Sequence, residues 1–310
     1  MENHQYFGPQ TQQAIVNFPF DLPKVRLELI YGISQIKKAA AKANQLIGDL
    51  DEQRSIAIIQ ACDEILEKKL DEQFMTVSLQ GGAGTSINMN INEVVAARAT
   101  EILKNKGENI SVHPNDHVNK AQSTNDVNPS GLKICCLELM KKLIPELDRL
   151  QQSFLKKARE YKNVKKLART HLQDAIPTTF GEEFSSYASI IKRDKRRIEE
   201  AGTYLHELSL GGTAIGNCIN ASKQYIKAVY KVLNQETGLK LKLAENLMSQ
   251  TSSQSDFCHL SAALNILGTD LSKIADDLRF MASGPLGGIG EIKLANLQKT
   301  WFRLCHNSGI

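Results

Sequence analysis

Residues 132–158 read LKICCLELMKKLIPELDRLQQSFLKKA, and apolar residues recur there at three- and four-residue spacing. The stripe comprises Leu132, Cys135, Leu139, Leu143, Leu147, Leu150, Phe154 and Ala158. This periodicity places the apolar side chains on one face of a long helix, and Pro145 within it predicts a kink. The stretch indicates that the fold is built on long helices.

Other segments extend this helical pattern in both directions along the chain. Comparable stripes predict long helices over residues 182–208 and 260–281, and shorter helices are expected over 24–50, 56–70 and 90–104. Long helices with continuous apolar stripes pack as an elongated bundle. No segment alternates polar and apolar residues as a large sheet requires. The sequence therefore predicts an all-α, mainly helical fold.

The composition excludes several classes of function. The chain has 310 residues, a formal net charge of +4 and six cysteines without a C-x-x-C pair. Interspersed charges of both signs give no indication of a nucleic-acid partner. No apolar run approaches the ~18 residues that span a bilayer, and the cysteine pattern favours reduced thiols. We therefore expect a cytoplasmic protein with no membrane segment, and no His or Asp spacing predicts a metal ion.

Three polar segments punctuated by glycine or proline interrupt the helices, at residues 81–92, 113–129 and 170–179. Loops held by rigid helices often carry binding groups. The first reads GGAGTSINMNIN and offers backbone N–H groups and the hydroxyls of Thr85 and Ser86 at a helix start. Such a turn can bind a carboxylate, although an ordinary glycine turn with a polar cap explains it equally well.

The second and third segments also carry hydrogen-bonding groups. Ser123, Thr124 and Asn125 precede a helix expected to begin near Gly131. They can cap that helix, but their number favours a binding site. In the third segment Thr170 and His171 precede a proline-containing turn. A histidine there can carry a proton or act as a neutral donor, although a lone histidine is more often structural.

The order of the motifs is more specific than any one of them. Together they resemble the aspartase/fumarase superfamily over residues 6–294: GGAGTSINMNINEV (81–94), HPNDHVNKAQSTND (113–126), RTHLQDAIPTTFGEEF (169–184), GGTAIGNCIN (211–220) and KIADDLRFMASGP (273–285). GGAGTS and QSTND look like the aspartate ammonia-lyase branch, in which L-aspartate loses a Cβ proton and then ammonia to give fumarate. Neutral donors would stabilise the negative charge of the intermediate. Fumarase, or another lyase of this superfamily, is the alternative.

The resemblance also implies site residues and an assembly. The implied substrate contacts are Thr85, Ser123, Thr124, Asn125, Thr170 and His171, and His171 is the candidate catalytic residue. His113, Asn115 and Asp116 resemble a secondary dicarboxylate site. The implied partner is a small dicarboxylate or amino acid, with no metal or organic cofactor. A homotetramer is expected, in which the three polar segments of one site come from different subunits.

The resemblance ends after GEIKL (290–294). Relatives continue into a glycine- and serine-rich loop with the serine believed to be the catalytic base, whereas here residues 295–310 diverge. We therefore expect an N-terminal domain over 1–122, an incomplete central bundle over 123–294, no C-terminal domain and impaired activity. A frameshift would explain the tail. A non-catalytic subunit or a pseudogene product is the alternative from a different class.

Overall fold

The computed structural model describes residues 5–284 and 286–295, so the predicted divergent tail lies beyond the described residues except for residue 295. This part of the chain contains nine α-helices: α1 (Pro9–Asn17), α2 (Leu27–Leu46), α3 (Glu52–Leu66), α4 (Thr85–Asn105), α5 (Thr124–Glu160), α6 (Phe180–Tyr204), α7 (Lys223–Thr237), α8 (Leu247–Ser252) and α9 (Ser255–Met281). Four short strands accompany them: β1 (Lys165–Thr170), β2 (Gln173–Thr179), β3 (Glu207–Leu208) and β4 (Lys242–Leu243). The predicted mainly helical fold is confirmed.

Two long helices begin earlier than predicted, inside the polar segments. The helix expected from residue 90 begins at Thr85, directly after Gly84 adopts a left-handed conformation (φ 84°). The helix expected near Gly131 begins at Thr124, because Ser123 and Asp126 cap its first turn. The Ser123 N–H donates to Oδ1 of Asp126 at 2.9 Å, and the Ser123 hydroxyl accepts from the Asn125 N–H at 3.3 Å. Polar residues interpreted as loop are therefore the first turns of two long helices.

The chain divides into two compact units, each with its own core. Unit 1 consists of residues up to Ile144 together with Glu199–Leu260. In it α2 packs against α3 and α7, and α4 packs against α3 and α1. The buried face of α2 includes Ile30, Ile33, Ile36, Ala39, Ala40, Ala41 and Ala43. At the crossing of α2 and α5 a Cβ on Gly32 would lie 2.4 Å from the carbonyl oxygen of Gly131, so the backbones approach closely.

Unit 2 consists of Pro145–Ile198 together with the residues from Ser261 onward. Its core includes an aromatic cluster in which Phe154 and Tyr187 lie 5.6 Å apart, ring centre to ring centre. The buried Tyr187 of α6 donates its hydroxyl hydrogen to Asp277 of α9 at 3.0 Å. Helix α5 runs through Pro145 without interruption, and the units divide at this residue. The kink at Pro145 and the domain boundaries at 122 and 294 stay predictions.

The third polar segment is a β-hairpin, so the prediction of a proline-containing turn there is wrong. Strand β1 pairs antiparallel with β2, and Thr170 opposite Gln173 is the last pair. His171 and Leu172 form the two-residue connection with φ angles of 51° and 61°. Two-residue hairpins favour positive φ at both positions, usually with glycine or asparagine. Pro177 instead lies within β2, opposite Leu167 and beside a register shift, where a missing N–H is tolerated.

No helix in the described ranges is both long and apolar enough to cross a membrane. Residues 5–284 and 286–295 also contain no group of three or more His, Cys, Asp or Glu side chains arranged to hold a metal ion.

Candidate functional site

The first two polar segments meet in unit 1, where the start of α4 lies against the start of α5. Asn128 of α5 donates from Nδ2 to the carbonyl oxygens of Ala83 and Gly84, at 3.0 and 2.7 Å. Asn88 of α4 donates from Nδ2 to Oγ1 of Thr124 at 3.2 Å. These bonds place the glycine turn before Thr85 next to the turn that carries Ser123, Thr124 and Asn125. Two positive helix ends therefore lie close together.

The predicted groups of unit 1 are accessible at this junction. Thr85 is exposed, and Ser123, Thr124 and Asn125 are half-buried. Asn125 and Gly84 both line a cleft of about 460 Å³ between α4, α5 and α8. Ser123 lines a neighbouring cleft of about 380 Å³, whose other wall is the segment 213–220. The Asn125 amide donates from Nδ2 to the carbonyl oxygen of Ala214 at 2.7 Å, and this bond holds the start of α5 against the segment 213–220.

Asp126 holds the start of α5 against the segment 211–213, and it was not among the residues predicted for the site. Its side chain is fully buried, and Oδ2 accepts hydrogen bonds from the N–H groups of Gly211 (3.0 Å) and Thr213 (2.9 Å). Burial raises the pKa of this carboxyl, and the N–H donors oppose that effect. Thr213 is held at a φ of 58°, which a non-glycine residue adopts only when its surroundings demand it. The Ser-x-x-Asp capping pattern was the available sequence signal.

A second buried charged group, Lys37 of α2, lies behind the start of α5. Its Nζ donates to Oδ1 of Asn119 at 2.7 Å. Burial lowers the pKa of Lys37 to about 7, although the negative charge of Asp126 opposes that shift. No local pattern marks this lysine as functional, because it stands in an ordinary helical segment.

Thr170 and His171 belong to unit 2, and both are exposed at the end of the β1–β2 hairpin. His171 lines a cleft of about 570 Å³ together with charged side chains of both signs, including Lys166, Arg169, Glu183, Lys273 and Asp277. Arg169 pairs with Glu291, and this hydrogen bond lowers the pKa of the Glu291 carboxyl. The charges that line this cleft are therefore partly neutralised by ion pairing. His171 lies at the tip of the hairpin, where its positive φ is unfavourable for a residue other than glycine.

The suggested secondary site lies elsewhere in unit 1, at a short π-helical turn (Pro114–Val118). His113 and Asn115 are exposed and line a cleft of about 410 Å³. Asp116 does not line this cleft; its Oδ2 lies 3.0 Å from Nδ1 of His113. The structure thus brings His113 and Asn115 to one cleft and directs the Asp116 carboxylate back onto the histidine.

Comparison with known proteins agrees with the motif order. A family model described as a lyase matches residues 1–299. Aspartate ammonia-lyase from Bacillus subtilis (strain 168) is 44% identical over 295 residues, which is 95% of this chain and 62% of that protein. Class II fumarate hydratase from Bacillus cereus is 39% identical over 287 residues, which is 92% of this chain and 62% of that protein. The chain thus spans about three fifths of the length of these curated relatives.

Solved structures share the fold. The cobalt-bound crystal structure of a fumarate lyase:delta crystallin from Brucella melitensis superposes with a TM-score of 0.90 at 41% identity, covering 96% of this chain and 65% of that chain. A class II fumarase from Schistosoma mansoni superposes with a TM-score of 0.87 at 32% identity, covering 93% of this chain and 64% of that chain. The motif order, the helical fold and these matches agree, and the chain belongs to the aspartase/fumarase superfamily of lyases.

Proposed function

We propose that the chain provides carboxylate-binding segments of an aspartate ammonia-lyase, which eliminates ammonia from L-aspartate to give fumarate. The observation that carries this proposal is the junction of the α4 and α5 starts. It gathers Thr85, Ser123, Thr124 and Asn125 at two helix N-termini. Helix N-termini and hydroxyl donors stabilise a bound carboxylate. They stabilise a reaction intermediate that carries more negative charge even more strongly.

The groups of the two units have different roles in this proposal. Ser123 and Thr124 donate hydroxyl hydrogens to a substrate carboxylate, and Asn125, already bonded to Ala214, shapes the cleft wall. Thr170 and His171 reach a substrate from the hairpin tip of another subunit in a homotetramer. His171 then acts as a proton carrier or donor, because an imidazole has one nitrogen that can accept a proton and one that can donate.

Class II fumarate hydratase is the second candidate. Relatives with that name reach 39–41% identity with this chain, close to the 42–44% of the aspartate ammonia-lyases. Fumarate takes part in both reactions, so the same hydrogen-bond donors can bind its carboxylate in either enzyme. The motifs GGAGTS and QSTND favour the ammonia-lyase.

Equilibrium binding of fumarate to the purified chain tests the proposal. We expect saturable binding that Thr124→Val weakens about 10-fold, because a hydrogen bond to a charged group contributes about 1.5 kcal/mol or more. Thr269→Val on α9 is the matched control: it removes an exposed hydroxyl that bonds only to the carbonyl oxygen of Asn265 among the described residues. This variant should bind like wild type.

Turnover assays then separate the candidates. Fumarate formed from L-aspartate supports the ammonia-lyase, and fumarate formed only from L-malate supports the hydratase. Binding of fumarate without turnover of either substrate would favour the non-catalytic subunit. Absence of binding, or equal affinity of wild type and Thr124→Val, would overturn the proposed role of the junction.

A further inference from the structure

Two amides, the buried Asn88 and the half-buried Asn119, connect Lys37 to the site hydroxyl of Thr124. Lys37 of α2 is fully buried, and its Nζ donates to Oδ1 of Asn119 at 2.7 Å. The same Oδ1 accepts a hydrogen from Nδ2 of Asn88 at 3.2 Å, and that Nδ2 also donates to Oγ1 of Thr124 at 3.2 Å. One line of hydrogen bonds therefore connects α2, α4 and α5 through the loop that contains Asn119.

A backbone carbonyl fixes the direction of the hydrogen bonds in this line. The carbonyl oxygen of Gln122 can only accept, and Nδ2 of Asn119 donates to it at 3.2 Å. Asn119 therefore presents its oxygen to Lys37 and Asn88, whether or not Lys37 is protonated. Because that oxygen accepts twice, Asn88 must present its NH₂ group. Both hydrogens of Asn88 are then used, one toward Asn119 and one toward Thr124. Oγ1 of Thr124 is thereby an acceptor on its buried side, and its own hydrogen remains free for another partner.

The orientation of the Asn88 amide leaves its oxygen without a hydrogen bond from any residue that the structure describes, which is energetically unfavourable for a buried group. Asn88 is 1% exposed, and its Oδ1 is buried without a hydrogen-bonding partner in the described part of the chain. Buried polar atoms are rarely left unpaired, and those that are call for an explanation. Two acceptors, Oδ1 of Asn119 and Oγ1 of Thr124, both take hydrogens from Nδ2 of Asn88, and this provides the explanation.

We propose that Lys37, Asn119 and Asn88 are positioning residues that hold the Thr124 hydroxyl as a hydrogen donor toward a substrate carboxylate. This inference rests on the proposed function for the substrate, but the direction of the hydrogen bonds does not depend on it. Thr124 is the first residue of α5, so its free hydrogen adds to the positive end of a 37-residue helix. The network acts through Thr124 and does not itself touch the substrate.

A double-mutant cycle on fumarate binding tests this inference. We expect Asn88→Leu to weaken binding about 5- to 10-fold, since the hydroxyl is no longer held in one direction. In the Thr124→Val background the same change should have less than about a 2-fold effect, because the group it positions is gone. Asn92→Leu is the matched control: Asn92 is a buried amide one turn further along α4 whose Nδ2 lies near Sδ of Met89. It should bind fumarate within about 2-fold of wild type.

Several results would overturn the inference. Asn88→Leu with wild-type affinity would do so, as would an equal loss in the presence and absence of the Thr124 hydroxyl. If Asn88→Leu does not fold, Lys37→Met tests the network from its other end with the same cycle. If wild-type protein binds no fumarate, the proposed function fails. The network is then judged by NMR scalar couplings of Thr124, whose side-chain rotamer should be fixed in wild type and averaged in Asn88→Leu.

Discussion

Replacing Lys37 with methionine should remove a pH dependence of stability that the buried ammonium creates. Burial lowers the pKa of Lys37 to about 7 in the folded protein, whereas an unfolded lysine has a pKa of about 10.4. Between these values the unfolded chain binds more protons, so the free energy of unfolding rises with pH. From pH 7 to pH 8.5 the Lys37 contribution alone amounts to about 1.6 kcal/mol. Asp126 is the charged group that acts on it; the neighbouring Cys62 thiol stays protonated over this pH range, because burial raises its pKa to about 12.

Urea unfolding at several pH values measures this contribution directly. The difference in unfolding free energy between wild type and Lys37→Met should grow in favour of wild type by about 1.6 kcal/mol from pH 7 to pH 8.5. Lys42→Met is the control, since Lys42 lies on the same helix with a half-exposed side chain paired to Glu236. This control should follow the wild-type trend. A pH-independent difference between wild type and Lys37→Met would refute the reasoning.

Two further predictions concern packing and thiol reactivity. Gly32→Ala should destabilise the protein by about 1–3 kcal/mol in thermal or urea unfolding, because the added Cβ would lie 2.4 Å from the carbonyl oxygen of Gly131. Gly268→Ala in α9 meets no atom within 4 Å and should instead stabilise by about 0.5–1 kcal/mol; equal effects would contradict the close crossing. Peptide mapping after brief treatment with a thiol reagent should find exposed Cys258 modified. Buried Cys62 and Cys135, whose pKa values burial raises to about 12, should react only after unfolding.

The sequence by itself determined the long helices. The stripe over 132–158 lies within α5, and the helix predicted over 182–208 is found at Phe180–Tyr204. Apolar residues at helical spacing favour a helix that can bury one face, so the local pattern suffices to predict the helix. The motif order also identified Ser123 and Thr124 as candidate donors, because these hydroxyls and the adjoining helix are neighbours in the chain.

Only the tertiary structure decided where these donors point. The hairpin turn at His171 and Leu172 contains neither glycine nor asparagine, so its positive φ angles had no local signal and depend on the pairing of β1 with β2. Lys37 and Asn88 lie far apart in sequence and meet through Asn119. A hydrogen bond acts over about 3 Å, whereas sequence periodicity fixes only which face of a helix a residue occupies. The direction of the Thr124 hydroxyl is therefore a property of packed helices.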